Sequence, residues 1–245
     1  MELGDVLEKA VQREASDIHL TVGIEPMIRI NGRLERLMEQ ELSVKDLKDL
    51  TSELLDKETR AEFEEAGEVD FAYHSENHHF RVNAFHQQGD PAAALRVLPD
   101  HIPALNELGL PKNLTEIIEK PRGLFLVTGP TGSGKSTTLA AMIDQVNQRM
   151  DKHIITLEDP IEYVHQHNKS IINQREVGKD TQGFAPGLRA ALRQDPDIIL
   201  VGEMRDLETI STALKAAETG HLVFATLHTN GASETIERII NVFPP

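Results

Sequence analysis

The stretch GLFLVTGPTGSGKSTTLAAMI, Gly123 to Ile143, decides the fold of the second half of the chain. LFLVT is an apolar run of strand length, and TTLAAMIDQV after the loop reads as a helix. Between them Gly129, Gly134, Lys135 and Ser136 satisfy the spacing G-x-x-x-x-G-K-[ST]. Glycines let backbone N–H groups curl round an anion, and a helix N-terminus adds its dipole. Lys135 can reach β- and γ-phosphates, and Ser136 can hold a magnesium ion. The expected nucleotide loop is therefore Gly129, Pro130, Thr131, Gly132, Ser133, Gly134, Lys135, Ser136 and Thr137. Its ligands would be ATP or GTP with Mg2+. Binding alone needs no base, so hydrolysis has to be argued from other residues.

Downstream of this loop, aliphatic strands alternate with helices. HIITLE is followed by a helix near 184–193, DIILVGE by one near 206–218, and HLVFATL by one near 231–240. That order predicts a parallel sheet flanked by helices. Upstream, LPDHIPALNELGLPKN (Leu98 to Asn113) has the proline content of a linker. The expected division is residues 1–100, a linker over 101–118, and a nucleotide-binding core over 119–245. The first part reads as α+β. It has a helix carrying Val6, Leu7, Ala10 and Val11, then SDIHLTV with Ile18, Leu20 and Val22 on one face. A hairpin turning at Asn31-Gly32 follows, with helices near 43–55, capped by Ser43, and 56–66. Three more strands end this part, the last two divided at Gly89-Asp90-Pro91.

Hydrolysis needs a positioned water, and magnesium needs carboxylates or the waters they hold. In open α/β sheets ligands sit outside the carboxyl ends of the strands. Two predicted strands end there in acids. HIITLEDPIE supplies Glu158, Asp159 and Glu162, and DIILVGE supplies Glu203. Asp195 and Asp197 precede their strand, at its wrong end, and read as structural. Asp206 reads as a helix cap. His221 and His228 bracket HLVFATL, and a regular strand would point them to opposite faces. Only His228 lies at the carboxyl end. His78-His79 read as solvated rather than metal-binding.

Bulk properties narrow the partners. A formal charge of −15 opposes binding to nucleic acid and anionic lipid. With no Trp and 4% aromatic residues, stacking platforms for single strands are scarce. No apolar run approaches the ~20 residues that span a bilayer, so direct membrane insertion is not expected. The chain contains no Cys, which removes disulfides and Cys-based zinc and fits a reducing cytoplasm.

The segments SDIHL, HFRVNAF, GPTGSGKSTTLAAMI, ITLEDPIEYVH, NQREVGKDTQGF, LRQDPDIILVGEMRDLETI and AAETGHLVFATLHTN together resemble the type II/IV secretion ATPase superfamily. Within it they resemble the type IV pilus retraction ATPases, and the likeness covers nearly the whole chain. Assembly and type II secretion ATPases share these motifs but carry longer N-termini and often a four-cysteine zinc module; the absence of Cys here favours the retraction branch. The resemblance implies a PAS-like N-terminal domain and a RecA-like ATPase domain. It implies a homohexameric ring, cytoplasmic and peripheral to the inner face of the cell membrane, working on a platform protein of the pilus machine. It also assigns motifs: a Walker A loop at Gly129–Ser136, an aspartate box holding Glu158, Asp159 and Glu162, an atypical Walker B ending at Glu203, and a histidine box from His221 to His228. Ser136 and Glu203 are then the expected magnesium residues, and Glu158 or Glu162 the base, with a lean to Glu162. His228 would read the γ-phosphate. Arg81 and Arg96 are the candidates to act on a neighbouring subunit's nucleotide, or else form ion pairs inside their own domain. The chain ends at IINVFPP, before the further helices of the family, so the core is expected to be short at that end. A nucleotide-gated scaffold that does not hydrolyse is the alternative from a different class.

Overall fold

The computed structural model describes residues 1–75, 78–99 and 101–244. It contains two compact units, Met1–Asp100 and His101–Pro245.

The first unit runs α1 (Leu3–Gln12), β1 (Asp17–Leu20), β2 (Met27–Ile30), β3 (Arg33–Arg36), α2 (Val44–Leu54), α3 (Lys57–Ala66), β4 (Glu68–His74), β5 (His79–Gln87) and β6 (Asp90–Leu98). Its six strands form an antiparallel sheet in the order β3-β2-β1-β6-β5-β4. Alternation puts Ile18, Leu20, Ile28, Phe80, Val82 and Leu95 on one face, where they bury against Leu3, Val6 and Leu7 of α1 and Leu47, Leu50 and Leu54 of α2. Asn31 (φ 48°) and Gly32 (φ 80°) are both left-handed, as the tight β2–β3 turn requires. Ser43 and Asp46 form a capping box at the start of α2. The acid-rich α3 buries only Phe63, so its charges are solvated.

The β5–β6 turn corrects the sequence expectation. Gln88 (φ 54°) and Gly89 (φ 88°) make it, while Asp90 and Pro91 pair with Gln87 and His86. Pro91 is tolerated because β1 pairs only with Ala93 to Arg96 of β6, so no ladder bond is asked of the proline nitrogen on that side.

The second unit runs α4 (Leu114–Ile118), β7 (Gly123–Thr128), α5 (Lys135–Arg149), β8 (His153–Glu158), β9 (Ile171–Glu176), α6 (Phe184–Ala191), β10 (Ile198–Val201), α7 (Leu207–Glu218), β11 (Leu222–Leu227) and α8 (Ala232–Ile240). Its five strands are all parallel, in the order β7-β11-β10-β8-β9. Adjacent residues of one strand serve opposite faces. Ile198 and Leu200 pack with Leu139, Met142, Ile143 and Val146 of α5. Ile199 and Val201 pack with Leu188 of α6 and Ile210, Ala213 and Ala216 of α7. Both faces are therefore covered, which is why IILV and LVFATL read as continuous apolar runs. The stretch read as a linker is partly built into this core: Leu105, Leu114 and Ile118 are buried in it. β9 was not legible in the sequence. It is an edge strand with Ile171 exposed and Asn173, Gln174 and Arg175 along it, so neither alternation nor an apolar run marks it.

Candidate functional site

The phosphate loop joins β7 to α5. Gly129 (φ 153°), Gly132 (φ 78°) and Gly134 (φ 87°) occupy backbone conformations that favour glycine. A Cβ on Gly129 would stand 2.6 Å from the Ser133 Oγ. The loop is anchored where the Gly129 N–H reaches the Leu227 carbonyl of β11 (3.4 Å). The helix begins at Lys135, with its first bond from the Thr138 N–H to the Gly134 carbonyl (2.9 Å). Earlier N–H groups of this turn have no intrahelical acceptor and face outward from the helix end. Lys135 Nζ donates to the Gly129 and Pro130 carbonyls (3.0 Å each), which folds its ammonium over the loop. Glycine backbone that side chains would obstruct, free helix-start N–H groups and a lysine folded over them fit a polyphosphate.

Glu203 follows β10. The Gly202 N–H donates to the Leu157 carbonyl (2.7 Å), and a Cβ there would meet that oxygen at 3.1 Å and the Glu158 Cα at 3.4 Å. The Met204 N–H bonds to the Thr226 carbonyl of β11 (3.1 Å). These bonds hold the Glu203 side chain, 14% exposed, at the sheet edge. Its Oε2 lies 2.7 Å from Arg205 Nε and 3.7 Å from His228 Nε2.

Glu158 ends β8 and is partly buried. Its Oε1 accepts from Thr156 Oγ1 (2.6 Å) and Gln174 Nε2 (3.1 Å). Burial pushes this carboxyl above the ordinary range, the Thr156 and Gln174 donors pull it part of the way back, and the charge of Glu162 adds to the rise. Glu162 itself is exposed. The segment after Glu158 returns to the loop helix, where buried Tyr163 places its hydroxyl 3.0 Å from Thr137 Oγ1. Glu176 of β9 accepts the Ile161 N–H (3.2 Å).

The strand order sets these groups in one row along the carboxyl edge. The phosphate loop follows β7, His228 follows β11, Glu203 follows β10, and Glu158 ends β8. Among the described residues, no group of three or more His, Cys, Asp or Glu is arranged to hold a metal ion by itself. The donor set fits Mg2+ of the nucleotide type, in which phosphate oxygens and waters complete the shell around a hydroxyl and a carboxylate such as Ser136 and Glu203.

Other expected residues fall elsewhere. β11 spans only Leu222–Leu227, so both histidines lie outside the strand and the alternation argument does not apply to them. His221 is at the opposite end from the site, where its backbone N–H (3.1 Å) and Nδ1 (3.0 Å) meet the Ala216 carbonyl of α7. Arg81 and Arg96 are register partners on β5 and β6 of the first unit. Arg81 forms a bidentate pair with Asp70 (3.2 and 2.9 Å), and Arg96 pairs with Asp17 (3.1 Å). Asp197 accepts the His153 N–H (2.9 Å) and Lys152 Nζ (3.1 Å), and Asp206 caps α7 through the Thr209 N–H (2.8 Å). His79 meets His74, Nδ1 to Nδ1 at 2.5 Å. Thr156, Tyr163 and Gln174 carry site contacts that sequence reasoning missed. A Thr two residues before a strand-end Glu is a signal for the first; the other two depend on tertiary placement.

A glycine-lined cradle at the start of a helix, with carboxylates on neighbouring parallel strands, places the chain among the P-loop nucleotide-binding proteins. The family model described as Type II/IV secretion system protein matches residues 2–243, and the chain belongs to that family. It is 50% identical over 245 residues to the Type IV pilus retractation ATPase PilT of Pseudomonas aeruginosa, covering all of this chain and 71% of that protein. It is 52% identical over 220 residues to a twitching motility protein of Neisseria gonorrhoeae, covering 89% of this chain and 59% of that one. A crystal structure of the pilus retraction motor PilT with bound ADP superimposes with a TM-score of 0.96 at 54% identity, covering all of this chain and 72% of that one.

Proposed function

We propose that this chain is the nucleotide-binding portion of an ATPase that powers type IV pilus retraction. The observation that carries the reading is the row of Lys135, His228, Glu203 and Glu158 along one sheet edge, in a chain half identical to a pilus retraction ATPase. In this reading the first unit is PAS-like and the second RecA-like. Six copies form a ring at the cytoplasmic face of the membrane and act on a platform protein of the pilus machine. Among the described residues no helix is long and apolar enough to cross a membrane.

Each residue then has a task in phosphoryl transfer to water. The loop N–H groups and Lys135 hold the β- and γ-phosphates. Ser136 and Glu203 hold Mg2+, which when bound neutralises charge on the phosphate oxygens. Glu158 orients the attacking water and takes its proton. It is preferred over Glu162 because two side chains fix its carboxylate, whereas Glu162 is exposed. A raised carboxyl is also the better base near neutral pH. His228, 3.7 Å from Glu203, reports the γ-phosphate to the metal residue. Arg81 and Arg96 leave their ion pairs to reach a neighbour's nucleotide.

The test is a pair of variants in the full-length protein. Lys135→Ala is expected to lose nucleotide binding, and Glu203→Gln to bind nucleotide while turnover falls by roughly 10²-fold or more. Cells carrying either should keep pili that do not retract. Normal turnover by Glu203→Gln rings would remove the metal role. Cells that lack pili altogether would point instead to an assembly motor. Absence of phosphate release by the parent ring would leave only a scaffold.

A further inference from the structure

We propose that Gln174, on the edge strand β9, is the positioning residue for Glu158. This rests on the reading of Glu158 as the base. The Gln174 side chain uses its amide in three directions. Nε2 donates to Glu158 Oε1 (3.1 Å) and to the Tyr163 carbonyl (2.8 Å), while Oε1 accepts the His165 N–H (2.8 Å). The partners fix which end is which: a carbonyl and a carboxylate can only accept, and a backbone N–H can only donate. One amide therefore ties the carboxylate to the backbone that follows it, and that backbone reaches the phosphate loop through Tyr163 and Thr137. Gln174 couples the aim of the base to the position of the nucleotide helix.

The register explains why β9 supplies this group. Gln174 stands beside Thr156 across the parallel β8–β9 ladder, and Glu176 beside Glu158. Thr156 and Gln174 both point their donors at Oε1, two positions before the ends of their strands. No other side-chain type of this size does the same work. Glutamate offers no N–H, and methionine offers neither donor nor acceptor of use here.

The titratable groups around Glu158 are few. Glu162, on its own loop, raises it. Glu176 is its register partner on β9 and is engaged by the Ile161 N–H. β10 presents Gly202, which is neutral, and the loop helix presents Thr137 through Tyr163. Removing one N–H donor therefore leaves the carboxylate less stabilised, with the Thr156 hydroxyl and the Glu162 backbone N–H as its remaining donors.

The experiment uses the full-length ring and follows turnover against pH for Gln174→Glu, Gln174→Met and Glu158→Gln, with nucleotide affinity and thermal melting measured on each. Gln174→Glu keeps shape and the acceptor for His165 but loses both donors. Its acid limb is expected to move up by roughly one to two pH units, the effect of losing a hydrogen bond to a charged group. On the acid side of that limb turnover should fall about ten- to a hundredfold while nucleotide affinity stays within about twofold. Gln174→Met should move the limb in the same direction by less, because it adds no charge. A uniform loss at every pH, or no loss, overturns the positioning role. Glu158→Gln separates the two claims. If it still turns over ATP, the base reading fails. If it is inactive and the Gln174 variants leave the limb in place, only the positioning role fails.

Discussion

Gly202→Ala tests the close approach of β8 and β10 that sets the two carboxylates. A methyl there would sit 3.1 Å from the Leu157 carbonyl oxygen and 3.4 Å from the Glu158 Cα. Both are backbone atoms of a buried strand, so neither can rotate away. The strands must part by a few tenths of an ångström, and the 2.7 Å bond from the Gly202 N–H to Leu157 lengthens with them. Overpacking of this kind costs roughly 1–3 kcal/mol. For a unit of this size each kcal/mol lowers the melting temperature by about 2–4 °C. The displaced atoms carry Glu203 on one side and Glu158 on the other, so turnover should drop on the order of tenfold or more at saturating ATP. Affinity for nucleotide should change far less, because the phosphate loop hangs from β7 and β11. Gly4→Ala is the control. That glycine lies in α1 with nothing within 4 Å of its would-be Cβ, so alanine should stabilise by roughly 0.5–1 kcal/mol. The assays are thermal melting, nucleotide affinity and phosphate release on both variants. A Gly202→Ala ring with parental melting and turnover would refute the idea that this contact fixes the carboxylates.

His165 supplies a pH test of stability. Burial lowers it from the ordinary 6.5 to about 4, and its Nδ1 is buried without a hydrogen-bond partner. Between those values the unfolded chain binds a proton that the folded chain does not, so stability falls as pH drops from about 6.5 to about 4. The loss is on the order of 3 kcal/mol at the acid end, and His165→Leu should flatten that part of a urea-denaturation profile. Arg81→Ala should leave nucleotide affinity of the single subunit intact and lower turnover of the ring. Asp70→Asn removes the same exposed ion pair, worth about 0–1 kcal/mol, and should spare turnover; equal losses in the two variants would make the arginine purely structural.

What the sequence made legible was local. The phosphate loop could be read because its glycines, Lys135 and the flanking strand and helix are contiguous. The Asp206 cap and the Asn31-Gly32 turn could be read for the same reason. Other features were set by partners distant in sequence. Gln88-Gly89 forms the β5–β6 turn because Pro91 can enter a strand whose neighbour has already ended. β9 exists because β8 offers it a parallel ladder, not because IINQRE has a strand pattern. The contacts of Gln174 with Glu158, Tyr163 and His165 follow from that pairing, so a reading without β9 had no means to find them.

In the proposed mechanism the two carboxylates divide their work by their surroundings. Glu158 is held by neutral donors, a threonine hydroxyl and a glutamine amide, in a place where burial raises it. Such a site favours a group that takes and returns a proton. Glu203 stands beside basic side chains, with Arg205 Nε at 2.7 Å and His228 Nε2 at 3.7 Å from one oxygen. Arg205 is 74% exposed, and an exposed ion pair is worth little, so exchanging its guanidinium for a metal ion costs little. In the proposed mechanism environment, rather than the choice of glutamate over aspartate, would assign the proton to one residue and the metal to the other. The same logic makes the strand order functional. Because β11 lies between β7 and β10, His228 stands between the phosphate loop and Glu203, and in the proposed mechanism a change at the γ-phosphate would have a contact through which to reach the metal residue.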